Sequence, residues 1–164
     1  LLIAADHPAR GALTVRGEPR MADRRDLLRR LAIALARPGV DGVLATPDIL
    51  EDLLLVGLLD GKQVIGSMNR GGLQGSSFEL DDRFTAYDVT TIVTHNLDGG
   101  KMLTRVALDD PGSAATLEAS GAAVTALAAA GKLALVEPFL SERRDRHRVE
   151  NLLDPDSVIR SIAR

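Results

Sequence analysis

The sequence predicts an α/β fold in which parallel strands alternate with helices. Short apolar runs recur along the chain at intervals of roughly 30–40 residues, and stretches with a helical spacing of apolar residues lie between them. The apolar runs contain few polar residues, which is typical of strands that are covered on both faces. Each run carries a polar or ionisable residue, directly after it or, in the fourth run, within it. These observations predict about five βα units and a parallel sheet.

The strands are predicted from apolar runs that are too short to be helices. They lie at residues 1–5, 40–45, 63–68, 99–106 and 133–136. The first run consists of Leu, Ile and Ala and ends at Asp6, and the fourth opens with the pair Gly99-Gly100. The other runs end at Thr46, Asn69 and Glu137.

The helices are predicted from the spacing of apolar residues and from stop signals. They lie at residues 23–36, 49–59, 86–96 and 111–130, with a last one from residue 156 onward. In the first helix, arginines fill the positions between the leucines, and Pro38-Gly39 ends it. The fourth is rich in Ala and Leu, and Gly131 is placed to cap its C-terminus. The charged run at 141–150 is expected to be a solvated face or the start of the last helix.

Composition excludes several classes of function. The chain has a net charge of −3, so it lacks the basic surface with which proteins bind nucleic acid or anionic membranes. It contains no cysteine, which excludes disulfides, thiolate nucleophiles and cysteine-based metal sites. No apolar run approaches the ~20 residues of a membrane span. We therefore expect a cytoplasmic protein that binds neither nucleic acid nor membrane.

Two architectures contain five consecutive βα units. One is a complete doubly wound domain, and the other is the first part of a (β/α)8 TIM barrel, which needs about 250 residues. The chain begins at Leu1 without an initiator methionine and ends at Arg164 within a predicted helix. Both ends favour one partial TIM-barrel domain over residues 1–164, truncated to about the first five βα units and incomplete at its C-terminus. Since such a piece leaves strand edges unpaired, we expect a homo-oligomer.

In both architectures, function lies at the carboxyl ends of the strands. Asp6 and Glu137 follow strands 1 and 5, and Lys101 lies early in strand 4. A buried lysine that loses its proton is a nucleophile for Schiff-base chemistry, and a carboxylate beside it can relay protons. Asp6, Lys101 and Glu137 are therefore the candidate catalytic residues. A Lys101–Glu137 ion pair would instead keep the amine charged, and a surface role for Lys101 also stays open.

The candidate substrate-binding residues occupy the same ends of the strands. They are His7, Thr46, Asn69 and Arg105. Because side chains alternate along a strand, Lys101 and Arg105 share a face and predict a cationic wall for a phosphate or carboxylate. Arg105 has the alternative of pairing locally with Asp109 or Asp110. The glycines Gly71-Gly72 and Gly99-Gly100 are candidates for anion contacts through their backbone, although turn formation explains them equally.

The sequence predicts neither a metal nor a cofactor. The three histidines, His7, His95 and His147, are too far apart in the sequence to suggest a metal site. No GxGxxG or P-loop pattern is present. The expected partner is a small substrate, because Lys101 favours a carbonyl compound and the cationic wall favours a phosphate or carboxylate group.

Three segments resemble class I aldolases of the bacterial fructose-bisphosphate type. Ala4-Ala5-Asp6-His7-Pro8 is similar to their strand-1 motif, the segment around Gly99-Gly100-Lys101 to their strand-4 lysine motif, and Glu137-Pro138 to their strand-5 motif. Over nearly the whole chain, the sequence looks most like an actinobacterial deoxyribose-phosphate aldolase-like branch associated with inositol catabolism. The resemblance implies a (β/α)8 barrel, of which this chain is the N-terminal part.

The same resemblance implies a carbon–carbon lyase that acts on a small carbonyl or phosphosugar substrate through a lysine Schiff base. Asp6 would contact substrate or relay protons, Lys101 would be the strand-4 active-site lysine, and Glu137 its strand-5 partner. The Schiff-base lysine of such aldolases is expected on strand 6, beyond Arg164, so the chain alone is expected to be inactive. Two alternatives stay open. One is a complete flavodoxin-like binding or signalling domain, and the other is a barrel enzyme of sugar phosphate metabolism without a Schiff base.

Overall fold

Six strands form one sheet in the order in which they occur along the chain. The computed structural model describes residues 1–69, 75–77 and 79–163. The strands are β1 Leu2–Ala5, β2 Gly42–Ala45, β3 Gln63–Ser67, β4 Gly99–Val106, β5 Leu133–Asp145 and β6 Arg148–Asn151. The helices are α1 Arg24–Leu35, α2 Pro47–Leu55, α3 Val89–Thr94, α4 Gly112–Ala129 and α5 Pro155–Ile162, and a 3-10 helix spans His7–Arg10. Among the described helices, none has both the length and the apolarity that crossing a bilayer requires.

The prediction of a parallel (β/α)8 TIM barrel truncated at five units is wrong. Strands β1 to β5 are parallel neighbours, but β6 pairs antiparallel with β5, so the described sheet is mixed. The rearranged strand order of a doubly wound domain is also absent from the described sheet. The error arose at β5, which was expected to end at residue 136 but continues to Asp145.

The charged run at 141–150 forms a hairpin and not the start of a helix. Side chains of its two strands, β5 and β6, pair with each other. Arg144 Nε lies 2.8 Å from Glu150 Oε2, and the Ser141 hydroxyl is 2.8 Å from Asn151 Oδ1. Such cross-strand pairs favour β-structure in a segment whose composition alone suggests solvent exposure. The hairpin extends beyond the carboxyl end of β4.

The core lies between the sheet and the helices on its outer face. One apolar cluster joins α1 and α2 to β2, with Leu35, Val43 and Leu53 almost fully buried. A second joins α3 and α4 to β4 through Ile92, Met102 and Leu127. Since these helices cover only the outer face, side chains that point to the other face are available for a site.

The pair Gly99-Gly100 lies where β4 approaches its neighbours most closely. A Cβ atom at Gly99 would lie 2.4 Å from the Leu133 carbonyl oxygen, and one at Gly100 would lie 2.5 Å from Met68 Sδ. These glycines therefore serve strand and helix packing, and neither lies at the carboxyl end of a strand where an anion site was considered. Gly71-Gly72, the other candidate pair, lies outside the described residues.

Gly99→Ala is expected to lower the free energy of unfolding by roughly 1–3 kcal/mol, because backbone atoms must move to admit the methyl group. Gly121→Ala is the control. That position lies within α4 with nothing near its Cβ direction, so alanine should raise stability by about 0.5–1 kcal/mol. Urea unfolding followed by circular dichroism compares both variants with the parent. Equal unfolding midpoints for Gly99→Ala and the parent would contradict the packing argument.

Candidate active site

The strand register brings Asp6 and Lys101 to the same level of the sheet. Ala5 is aligned with Ala45 and Gly66 across β2 and β3, and Lys101 is aligned with Ser67, one residue further along. In a flat sheet, β1 and β4 would be about 14 Å apart, since neighbouring strands are ~4.8 Å apart. The two side chains nevertheless touch, so the sheet is curled and its concave face holds the site.

Lys101 lies between two carboxylates. Its Nζ atom is 2.7 Å from Asp6 Oδ2 and 2.5 Å from Glu137 Oε2. The side chains of Lys101 and Asp6 are only 4% and 7% exposed, whereas that of Glu137 is 45% exposed. Asp6 is therefore a fixed, buried partner of the ammonium group. Glu137 can exchange its contact with Lys101 for water or for a ligand.

These three residues line a cavity of about 250 Å³ on the concave face. Its other ionisable lining residues are His7, Arg10 and Arg105. Leu103 and Phe139 provide apolar walls, and Asn151 of β6 lines the side formed by the hairpin. A larger hollow of about 390 Å³ lies between Asp110 and Arg143, but those two residues neutralise each other at 3.0 Å. The concave-face cavity thus has the more reactive set of side chains.

Arg105 shares the cavity with Lys101, as the alternation of side chains in β4 predicts. It does not pair with Asp109 or Asp110, the local partners considered from the sequence. Its Nε lies 3.0 Å from Asp82 Oδ2, and its Nη1 lies 3.0 Å from Glu79 Oε1. Two carboxylates of the segment between β3 and α3 therefore neutralise the predicted cationic wall.

Asp82 also connects β4 to the segment that follows β1. Its side chain is 0% exposed, and its Oδ1 atom is 2.5 Å from Arg10 Nη1. The same guanidinium donates to the Asn69 carbonyl oxygen at 2.9 Å. The ion pairs thus form a continuous buried network, which we call the upper network and which consists of Arg10, Glu79, Asp82 and Arg105. On β4, Arg105 lies four residues beyond Lys101, with Leu103 between them on the same face of the strand.

Asn69 is buried, but its side chain is occupied by β4. Its Nδ2 donates to the Leu103 carbonyl oxygen at 2.6 Å, and its Oδ1 accepts from the Leu103 amide at 2.9 Å. It is not among the cavity-lining residues. The structure thus does not support the predicted role of Asn69 in substrate binding. Its side chain instead joins the end of β3 to β4.

Thr46 lies in a different hollow from Lys101. Its hydroxyl donates to Asp48 Oδ1 at 2.5 Å, and Arg24 Nη1 lies 2.7 Å from Asp48 Oδ2. Burial opposes ionisation of Asp48, but these hydrogen bonds from Thr46 and Arg24 outweigh it and hold the pKa of the carboxyl below its ordinary 3.8. Thr46 therefore orders the start of α2.

His7 remains at the rim of the cavity. It begins the 3-10 helix, and its half-exposed ring places Nδ1 3.7 Å from Asp6 Oδ1. The position allows it to contact a ligand that has entered the cavity. Within the part of the chain that the structure describes, no three His, Asp or Glu side chains are grouped to hold a metal ion.

Three charged residues of the upper network were not among the site residues predicted from the sequence. Arg10 ends the 3-10 helix that follows β1, and Glu79 and Asp82 lie in the segment between β3 and α3. A signal was available, since the loop after β3 carries acids at 79, 81 and 82 while β4 carries an arginine on its polar face. Arg70, in the same loop, lies outside the described residues.

The fold and cavity define an α/β protein with a charged site on the concave face of a curled, mixed sheet. The chain belongs to the Cgl0159-like family, whose model matches residues 1–164. It is similar to the crystal structure of Cgl0159 from Corynebacterium glutamicum (Brevibacterium flavum), with 55% sequence identity and a TM-score of 0.94. The match covers 99% of this chain and 55% of that one, so this chain spans about half of its length. No curated protein matches.

The comparisons correct the family suggested by the sequence. The motifs around Asp6, Lys101 and Glu137 resemble class I aldolases of the (β/α)8 barrel type, but the whole chain matches the Cgl0159-like family instead. Neither the family description nor the related crystal structure states an activity. Short motifs at strand ends recur in many parallel sheets, which is why they misidentified the family.

Proposed function

We propose that the protein is a carbon–carbon lyase for a sugar-like carbonyl compound, with Asp6, Lys101 and Glu137 as its acid–base group. The observation that carries the proposal is the buried Lys101 ammonium between two carboxylates, one fixed and one exposed to the cavity. Titratable groups held at such distances in a cleft are typical of catalytic sites. Since this chain spans about half of its solved relative, the activity is proposed for the longer protein.

The group suits cleavage of a bond next to a carbonyl. In a β-hydroxy carbonyl compound, a base removes the hydroxyl proton, the carbon–carbon bond breaks, and its electron pair moves into the carbonyl or imine carbon system. Glu137 is positioned to accept that proton, because it lines the cavity and is half exposed. Lys101 then stabilises the oxygen on which negative charge develops, while Asp6 keeps the ammonium in place.

Lys101 is proposed to act as a cation and not as the Schiff-base nucleophile. Its Nζ atom is held in ion pairs with the carboxylates of Asp6 and Glu137, which suits a charge partner and leaves it no free approach to a carbonyl carbon. The other two lysines do not line the cavity: Lys62 donates to the Val40 carbonyl oxygen at 2.7 Å, and Lys132 precedes β5. We therefore propose that the imine-forming lysine lies outside these 164 residues.

Borohydride trapping tests the proposal. The 164-residue chain and the longer Corynebacterium glutamicum relative are incubated with dihydroxyacetone, reduced, and analysed by peptide mass spectrometry. We expect a stable adduct on the relative, at a lysine outside the region that matches this chain, and none on the chain alone. An adduct on Lys101 would overturn its assignment as a cation. Absence of any adduct on the relative would overturn Schiff-base chemistry.

The substitution Lys101→Met separates the proposed role of this residue as a cation from imine formation. In the longer relative, this substitution is expected to leave trapping intact while lowering the rate of cleavage by about 10²- to 10⁴-fold. A matched control replaces the residue at the position of Lys132, which is remote from the cavity. If the methionine variant cleaves as fast as its parent, Lys101 has no part in the reaction.

A further inference from the structure

We infer that the cavity takes an uncharged, hydroxyl-bearing carbonyl compound and that Asp82 and Glu79 exclude a phosphate group from it. The inference rests on the proposed function for the identity of the carbonyl group, but the charge argument is independent of any reaction. It reverses the expectation that Arg105 binds a phosphate. The juxtaposition that carries it is that of Lys101 with two arginines of the upper network, Arg10 and Arg105, which line the same cavity.

Each described lysine and arginine that lines the cavity already has a buried carboxylate partner. Lys101 has Asp6 and Glu137, Arg10 has Asp82, and Arg105 has both Asp82 and Glu79. Three cations thus face four carboxylates, which leaves one formal negative charge among these described residues. A phosphate dianion brought into this set would add to the surplus of negative charge.

Phosphate sites in proteins use cations or backbone amides whose hydrogen bonds are available to the ligand. Here the Arg105 guanidinium faces Asp82 through Nε and Nη2 and Glu79 through Nη1. To bind phosphate, Arg105 would have to leave two buried carboxylates, of which Glu79 would lose its only described cation and Asp82 would keep Arg10 alone. Leaving a buried carboxylate without its cation costs several kcal/mol. Replacing the carboxylates at Arg105 with phosphate is therefore unfavourable.

The same side chains suit hydroxyl groups. Glu137 and Asp6 offer carboxylate oxygens as acceptors, and the ammonium of Lys101 offers a donor to a carbonyl oxygen. Asn151 adds an amide at the hairpin side, and Leu103 and Phe139 can cover carbon atoms. The volume of about 250 Å³ lies below the ~300–1,000 Å³ of drug-sized sites, which favours a small compound.

Binding measurements on the 164-residue chain test the inference. Chemical shifts of the isotopically labelled protein are followed during titration with dihydroxyacetone, dihydroxyacetone phosphate and inorganic phosphate. We expect dihydroxyacetone to shift the signals of Lys101 and Leu103, and both phosphate compounds to bind there at least tenfold more weakly. Equal or tighter binding of either phosphate compound at these residues would overturn the inference.

The variant Asp82→Asn keeps the shape of the side chain and removes one negative charge. It is expected to strengthen binding of inorganic phosphate at Arg10 and Arg105 at least tenfold. Asp81→Asn is the matched control, because Asp81 pairs with the exposed Arg83 and does not line this cavity. Unchanged phosphate binding in a folded Asp82→Asn variant would contradict the inference.

If Asp82→Asn does not fold, binding of the three compounds to the parent chain still tests whether the cavity excludes phosphate. The outcome is also separable from that of the proposed function. Binding of dihydroxyacetone without phosphate binding supports the charge argument even if trapping fails in the longer relative. Successful trapping combined with tight phosphate binding in this cavity supports the lyase and refutes the exclusion of phosphate.

Discussion

Replacing Lys101 with methionine is expected to lower the free energy of unfolding by about 3–5 kcal/mol, because it leaves the carboxylate of Asp6 buried without a counter-charge. The partner is 7% exposed and cannot turn to solvent, whereas Glu137 can. Urea unfolding at neutral pH measures the loss. Lys132→Met, at a lysine remote from the cavity, should change stability by no more than about 0.5 kcal/mol.

A double substitution separates the charge effect from the loss of packing. Asp6→Asn combined with Lys101→Met removes both charges, so the double variant should be more stable than the single variant Lys101→Met. The parent, the two single variants and the double variant form a double-mutant cycle. The interaction energy from this cycle is expected to be large, since the two side chains are in direct contact. Additive effects of the two substitutions would show that the ion pair does not stabilise the fold.

Replacing Arg105 with methionine is expected to cost about 3–5 kcal/mol for the same reason, at the upper network. Glu79 would lose its only described cation, and Asp82 would keep only Arg10. Hydrogen exchange should become faster in residues 79–88, because Arg105 ties this segment to β4. Arg105→Lys should recover only part of the stability, since an ammonium group cannot reproduce the planar contacts of a guanidinium.

Arg83→Met is the matched control for Arg105. Arg83 also pairs with an aspartate of the same segment, Asp81 at 2.7 Å, but its side chain is 75% exposed. An exposed pair contributes about 0–1 kcal/mol, so the control should unfold close to the parent. If both arginine variants lose the same stability, burial does not distinguish the two pairs and the upper network is not a structural unit.

Much of the local structure was predictable because it depends on local spacing. Strand β4 occupies the predicted residues 99–106, and Gly131 has the left-handed backbone expected of a helix cap, with φ of 66°. Helices α1 and α4 differ from their predicted bounds by one residue at each end. The hairpin was missed because its stability comes from contacts between Arg144 and Glu150 across two strands, and not from an apolar run.

The candidate site was likewise predictable only in part from the sequence. Sequence alone selected Asp6, Lys101 and Glu137, because polar residues stand out at the ends of apolar strands and parallel strands end at a common edge. Only the tertiary structure decided that Lys101 is paired, that Asn69 and Thr46 serve the fold, and that Arg105 is neutralised. Those outcomes depend on the curl of the sheet and on distances between residues far apart in sequence, such as Arg10 and Asp82. Local patterns contain no information on such distances.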